Sequence, residues 1–107
     1  MTQHFTDADF ATAVIEASKT KPVLVDFFAV WCGPCQMQAP IIENVAQTIG
    51  DKAVVGKVNV DEAPQAAGQF GVMSIPTIII FKDGKAAQTF VGVQMHDDLV
   101  AALQKLA

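Results

Sequence analysis

The sequence contains no arginine, no tyrosine, one tryptophan and only two cysteines. Without arginine, and with 7 lysines scattered among 11 acids, it offers no basic patch to lay against nucleic acid. The net charge of −4 is equally dispersed and reads as a solvated surface. No apolar run approaches the ~20 residues that a membrane-spanning helix needs. The first ten residues, MTQHFTDADF, lack the basic start and apolar stretch of a secretory signal, and lack the arginines of a transit peptide. With Met1 at the start, the expectation is a cytoplasmic protein with no leader removed and no membrane partner. Two cysteines are too few for the disulfide scaffold of a small secreted domain. His4 and His96 are far from them in sequence, so one chain lacks the four ligands of a tetrahedral zinc site. Four thiolates shared between two chains stay open as a minor alternative; the reading adopted has no metal.

What is present suits a packed interior. Of 107 residues, 51% are apolar and 17% charged, which fits one domain spanning 1–107. Thr6, with Asp7 and Asp9 behind it, marks a helix start, and Phe10, Val14 and Ile15 continue at helical spacing to about Ser18. After Pro22, VLVDFFA (23–29) is a short, nearly continuous apolar run, the pattern of a central strand covered on both faces. Pro34 to Ile49 reads as a helix closed by Gly50 and kinked by Pro40. AVVGKVNV (53–60) is a second strand, and Pro64 to Phe70 a short helix stopped by Gly71.

TIIIF (77–81) and AAQTFV (86–91) flank Lys82-Asp83-Gly84-Lys85, a strong signal for an antiparallel hairpin. Asp97 to Leu106 closes the chain as a helix with Leu99, Val100, Leu103 and Leu106 on one side. The order is β-α-β-α-β-β-α after an N-terminal helix. That predicts an α/β fold with a mixed central sheet and helices on both faces.

Cys32 and Cys35 fall where the strand 23–29 gives way to a helix. Positions three apart on a helix share a face with Cβ atoms roughly 5–6 Å apart, and a disulfide needs about 3.5–4.5 Å. A modest tightening of the first turn closes the bond. The helix start also offers unpaired N–H groups and the positive end of the helix dipole. Both favour a thiolate at Cys32, the attacking species in disulfide exchange. Gly33 supplies the turn, and Pro34 a backbone already set for the helix. Two inert cysteines that happen to lie three apart are the alternative; the strand-to-helix placement favours redox chemistry.

WCGPC (31–35) within VDFFAVWCGPCQMQAP, followed by SIPTIIIF (74–81) and FVG (90–92), resembles the thioredoxin family along nearly the whole chain. The resemblance implies a reductase of disulfides in other proteins, recharged by thioredoxin reductase with NADPH. It implies no cofactor beyond the Cys32–Cys35 disulfide, and the expectation is a monomer. Asp26, a costly acid inside an apolar strand, then becomes the proton acceptor for Cys35, through water. Its structural alternative is a hydrogen-bonded aspartate near Lys57, a supporting residue in the next strand.

An X-Pro bond in a folded protein is cis only about 5–6% of the time. The resemblance reverses that expectation for Ile75-Pro76 and turns it toward the cysteines. Ile75 would pair its backbone with an extended client peptide. Gly92 would let that peptide approach closely, or would simply end a strand; the two readings weigh equally. Trp31 is expected to be partly exposed, as part of an apolar rim. Asp61 is read as a turn or cap residue ahead of a partner for Trp31. His4 and His96 are read as surface residues, and Met37, Met73 and Met95 as packing residues.

Three positions depart from the common family pattern. Phe28 stands where a second tryptophan is frequent, Val30 where a polar residue is, and Gln36 where a cation is. Losing the cation leaves more of the thiolate stabilisation to the helix terminus. A scaffold protein with incidental redox chemistry, and an oxidase or isomerase, are the rival classes. Gly33-Pro34 favours a reductant, because oxidising relatives typically carry a histidine beside the second cysteine.

Overall fold

A computed structural model describes residues 2–107. Five strands form one mixed sheet in the order β1-β3-β2-β4-β5. They are β1 (Gln3–Phe5), β2 (Val23–Phe28), β3 (Val54–Asn59), β4 (Thr77–Lys82) and β5 (Lys85–Val91). The helices are α1 (Gly33–Ile49), α2 (Pro64–Gln69) and α3 (His96–Leu106). β2 runs parallel to β3 and antiparallel to β4, so it is flanked by a strand on each side, as its apolar run predicts.

Strand alternation sorts the core into two halves. Val23, Val25 and Phe27 of β2 join Ile79 and Phe81 of β4 on one face, under Phe10, Val14, Ala66 and Ala67. Leu24 joins Ile78 and Ile80 on the other face, under Ile42, Val45 and Ile49 of α1 and Leu99 and Leu103 of α3. Each face is sealed by helices, which explains why these strands show little apolar–polar alternation.

β1 is absent from the sequence reading. Three residues with two polar side chains carry no periodic signal, and the strand exists because it pairs in parallel with β3. Gly56 of β3 is its structural counterpart, since a Cβ there would overlap the Phe5 ring.

The N-terminal helix is also corrected. It runs as one π-helical segment, Ala11–Glu16, and a 3₁₀ turn, Ala17–Lys19, beginning after Phe10 rather than at Thr6. Asp9 accepts from the Thr6 backbone N–H at 2.7 Å in the preceding turn. Asp7 serves another helix, accepting from the N–H groups of Gln65 and Ala66 at 3.1 and 2.8 Å at the start of α2. The short polar segment was a capping signal assigned to the wrong helix.

α1 passes through Pro40 and ends at Gly50, whose φ of 60° few side chains tolerate. Gln36 and Pro40 both lie on the exposed side, where water can meet the carbonyl that the proline leaves without a donor. The hairpin turn is Asp83-Gly84, with φ of 57° and 84° at the two central residues. Fully buried Ser18 receives it, accepting from Asp83 N–H through its carbonyl and from Gly84 N–H through its hydroxyl.

Candidate functional site

Cys32 is the N-cap of α1 and Cys35 lies in its first turn, with Gly33 and Pro34 between them. The two sulfurs are joined as a disulfide with a Cα–Cα separation of 5.3 Å. The Cys35 backbone N–H donates to Cys32 Sγ at 3.2 Å, one of the orphan donors that a helix start presents. A donor so placed is of the kind that stabilises a thiolate. In the disulfide form Cys32 is 4% exposed and Cys35 3%, so accessibility does not separate them. Their surroundings do.

Cys32 Sγ stands 3.7 Å from the carbonyl oxygen of Ile75. The Ile75-Pro76 peptide is cis, and this segment leads directly into β4. Cys35 instead helps line a cavity of about 240 Å³ with Phe28, Ala29, Val30, Gln36 and Ala39. Lys57 Nζ lies 5.5 Å from the centre of the Phe28 ring.

Asp26 is buried in β2 and lies opposite Lys57 in the β2–β3 register. Its Oδ1 has no hydrogen-bond partner among the described residues. Burial pushes its pKa up from 3.8 to about 7, against a smaller downward pull from the Lys57 charge. A buried carboxyl with a free oxygen and a pKa near neutrality can take up and release a proton under ordinary conditions.

Trp31 is 69% exposed, at the surface beside the cysteine pair. Its indole N–H donates to Asp61 Oδ2 at 2.8 Å, so Asp61 does orient the ring, contrary to the turn-or-cap reading. Its turn is held instead by Asn59, whose Oδ1 accepts from the Asp61 backbone N–H. Gly92 has a φ of 91° and donates its N–H to the Pro76 carbonyl at 2.9 Å, linking its loop to the Ile75-Pro76 segment.

Met37, Met73 and Met95 are not packing residues. They are 66%, 95% and 61% exposed, because Met37 faces away from the buried stripe of α1 and the other two lie outside regular elements. His4 is a surface residue as expected, while His96 bridges two helices, with Thr48 Oγ1 at 2.8 Å and Asp97 Oδ1 at 2.7 Å.

Gln38 was missed altogether. It is fully buried and exchanges two hydrogen bonds with the backbone of Gln94 in the loop after Gly92. The signal was present, since Cys35, Gln38, Ile42, Val45 and Ile49 form a helical stripe with one amide in it.

Among the described residues, no group of three or more His, Cys, Asp or Glu side chains is placed to hold a metal ion, and no helix is long and apolar enough to cross a membrane. The redox-active group in the site is the disulfide itself.

The thioredoxin family model matches residues 1–105. The chain is 49% identical to a thioredoxin of Alicyclobacillus acidocaldarius, over 95% of this chain and 94% of that one. It is 50% identical to thioredoxin 1 of Synechococcus elongatus, over 94% and 92% of the two chains. A thioredoxin of Rickettsia prowazekii is 41% identical over 98% of each. With its cysteine pair at the start of α1 and this match along almost its whole length, the chain belongs to the thioredoxin family and is a thiol–disulfide oxidoreductase.

Proposed function

We propose that this protein is a general reductant of disulfides in other proteins, acting as a single-domain monomer in the cytoplasm. The Cys32–Cys35 pair at the N-terminus of α1 carries the reading. In the dithiol form, the Cys32 thiolate attacks one sulfur of a client disulfide. A Cys32–client bond forms, and the client's other sulfur leaves as a thiolate that takes a proton from solvent. Cys35 then loses its proton through water to Asp26 and attacks Cys32 Sγ. The Cys32–Cys35 bond forms, the second client thiolate leaves, and two electrons have passed to the client. Thioredoxin reductase, drawing on NADPH, returns the disulfide to the dithiol; the protein holds no other cofactor and no metal.

The division of labour rests on position. Cys32 caps the helix and faces the Ile75 carbonyl, where an extended client strand can pair ahead of the first β4 rung at Thr77. Pro76 fixes that segment, and Gly92 keeps a neighbouring backbone free of a side chain. Trp31, Gly33 and Pro34 form the contact surface around the sulfur. Lys57 supports Asp26 by opposing its charge across the β2–β3 pair.

The test is reduction of insulin disulfides with NADPH and a bacterial thioredoxin reductase as the electron source. Sustained turnover is expected, along with a redox potential more reducing than the glutathione couple. A protein that oxidises reduced glutathione efficiently and leaves insulin intact would be an oxidase instead.

A further inference from the structure

We infer that Gln38 and Gln94 form a latch that positions the Gly92 loop against the Ile75-Pro76 segment, which lies beside Cys32, and so sets the preference for protein disulfides over small ones. The inference rests on the proposed function, because it assigns a positioning residue to that same site.

A fully buried primary amide needs partners for both its oxygen and its nitrogen. Gln38 finds both on one residue. The Gln94 backbone N–H donates to Gln38 Oε1 at 2.7 Å, and Gln38 Nε2 donates to the Gln94 carbonyl at 3.0 Å. An apolar residue in this stripe would need only packing, and would accept several positions of the loop. The amide is satisfied only when Gln94 sits in this one place, so it converts a position on α1 into a position for the loop.

The connection continues on both sides. The Gln94 side chain reaches back to the carbonyls of Val91 and Gly92 at 3.4 and 3.3 Å. Gly92 N–H in turn holds the Pro76 carbonyl at 2.9 Å. At the other end, Gln38 is three residues from Cys35, on the same buried side of α1. One chain of contacts therefore joins the redox helix, the Gly92 loop and the Ile75-Pro76 segment. A client strand must lie across the last two; a small disulfide needs only the sulfur.

The test compares Gln38→Leu with the parent on insulin and on a nitrobenzoate aromatic disulfide. KM for insulin should rise about tenfold, the effect of losing two modest hydrogen bonds, with kcat within about twofold. The rate with the aromatic disulfide should hold within about twofold. Amide exchange at Gln94 and Gly92 should quicken by about tenfold or more. An unchanged insulin KM, or equal losses on both substrates, would overturn the latch. Should Gln38→Leu fail to fold, Gln38→Met decides: it removes both bonds to the Gln94 backbone while keeping an unbranched side chain of similar length, it should raise insulin KM about tenfold, and an unchanged KM refutes the inference. A parent protein that reduces neither substrate refutes the proposed function instead, and the exchange rates then still report whether the latch holds the loop.

Discussion

The indole N–H of Trp31 donates to the Asp61 carboxylate at 2.8 Å, fixing a ring that is 69% exposed and adjacent in sequence to Cys32. Trp31 is the only tryptophan and the chain has no tyrosine, so its emission comes from this one place. Breaking the disulfide is expected to change that emission. Asp61→Ala should lower its anisotropy by freeing the ring. Identical spectra for oxidised and reduced protein would show that Trp31 does not sense the sulfurs.

Asp26 predicts a pH dependence of stability whose sign can be worked out. Its pKa is raised from 3.8 to about 7 in the folded protein, chiefly by burial. Well below pH 4 the group is protonated in both states and adds no pH dependence. Between about 4 and 7 the unfolded chain releases its proton while the native protein keeps it, so stability falls as pH rises through that window. Above about 7 the loss is complete, on the order of 4 kcal/mol at most. Asp26→Asn should remove this slope, making the oxidised variant more stable than the parent at pH 8 and similar to it at pH 3. Denaturant titrations across that range check it. The same variant should reduce insulin more slowly; equal rates would leave Asp26 a structural role only.

The two cysteines should fail in different ways. Cys35→Ser keeps the attacking sulfur and removes the one that releases the client, so covalent mixed disulfides with cell proteins should accumulate and be cleaved by added dithiol. Cys32→Ser should trap few or none, and both variants should be inactive. Equal covalent capture by the two would reverse the assignment. Partners retained by both without a covalent bond would favour the scaffold reading.

A fourth expectation concerns the edge of the sheet. Any side chain at Gly56 would meet the Phe5 ring of β1. Gly56→Ala should therefore destabilise the protein by about 1–3 kcal/mol, as overpacking of a closed site does. Pairing it with Phe5→Leu should recover part of that loss in thermal unfolding, whereas additive losses would place the strain elsewhere.

Legibility followed the strength of the local signal. VLVDFFA announces a strand buried on both faces, and Asp-Gly announces the turn that its two positive φ values make. Cys32 and Cys35 were readable because spacing and strand-to-helix placement carry the chemistry. β1 was not, because its three residues become a strand only through β3. Asp7 misled because a capping aspartate does not say which helix it caps, and its partners lie 58 and 59 positions away. Asp61 and Gln38 were undervalued for the same reason: their partners are 30 and 56 positions distant, brought near only by the finished fold.

The sulfur–sulfur bond spans three positions within one helical turn. A cross-link so local removes little freedom from the unfolded chain, about 2 kcal/mol on a chain-entropy estimate against nearly 5 for a hundred-residue ring. Stabilisation of this kind is mutual: a bond that does little for the fold receives little from it. The two apolar layers on either side of the sheet, which hold the molecule together, contain neither cysteine. A cross-link set apart from both layers is one whose opening takes no apolar contact from either of them.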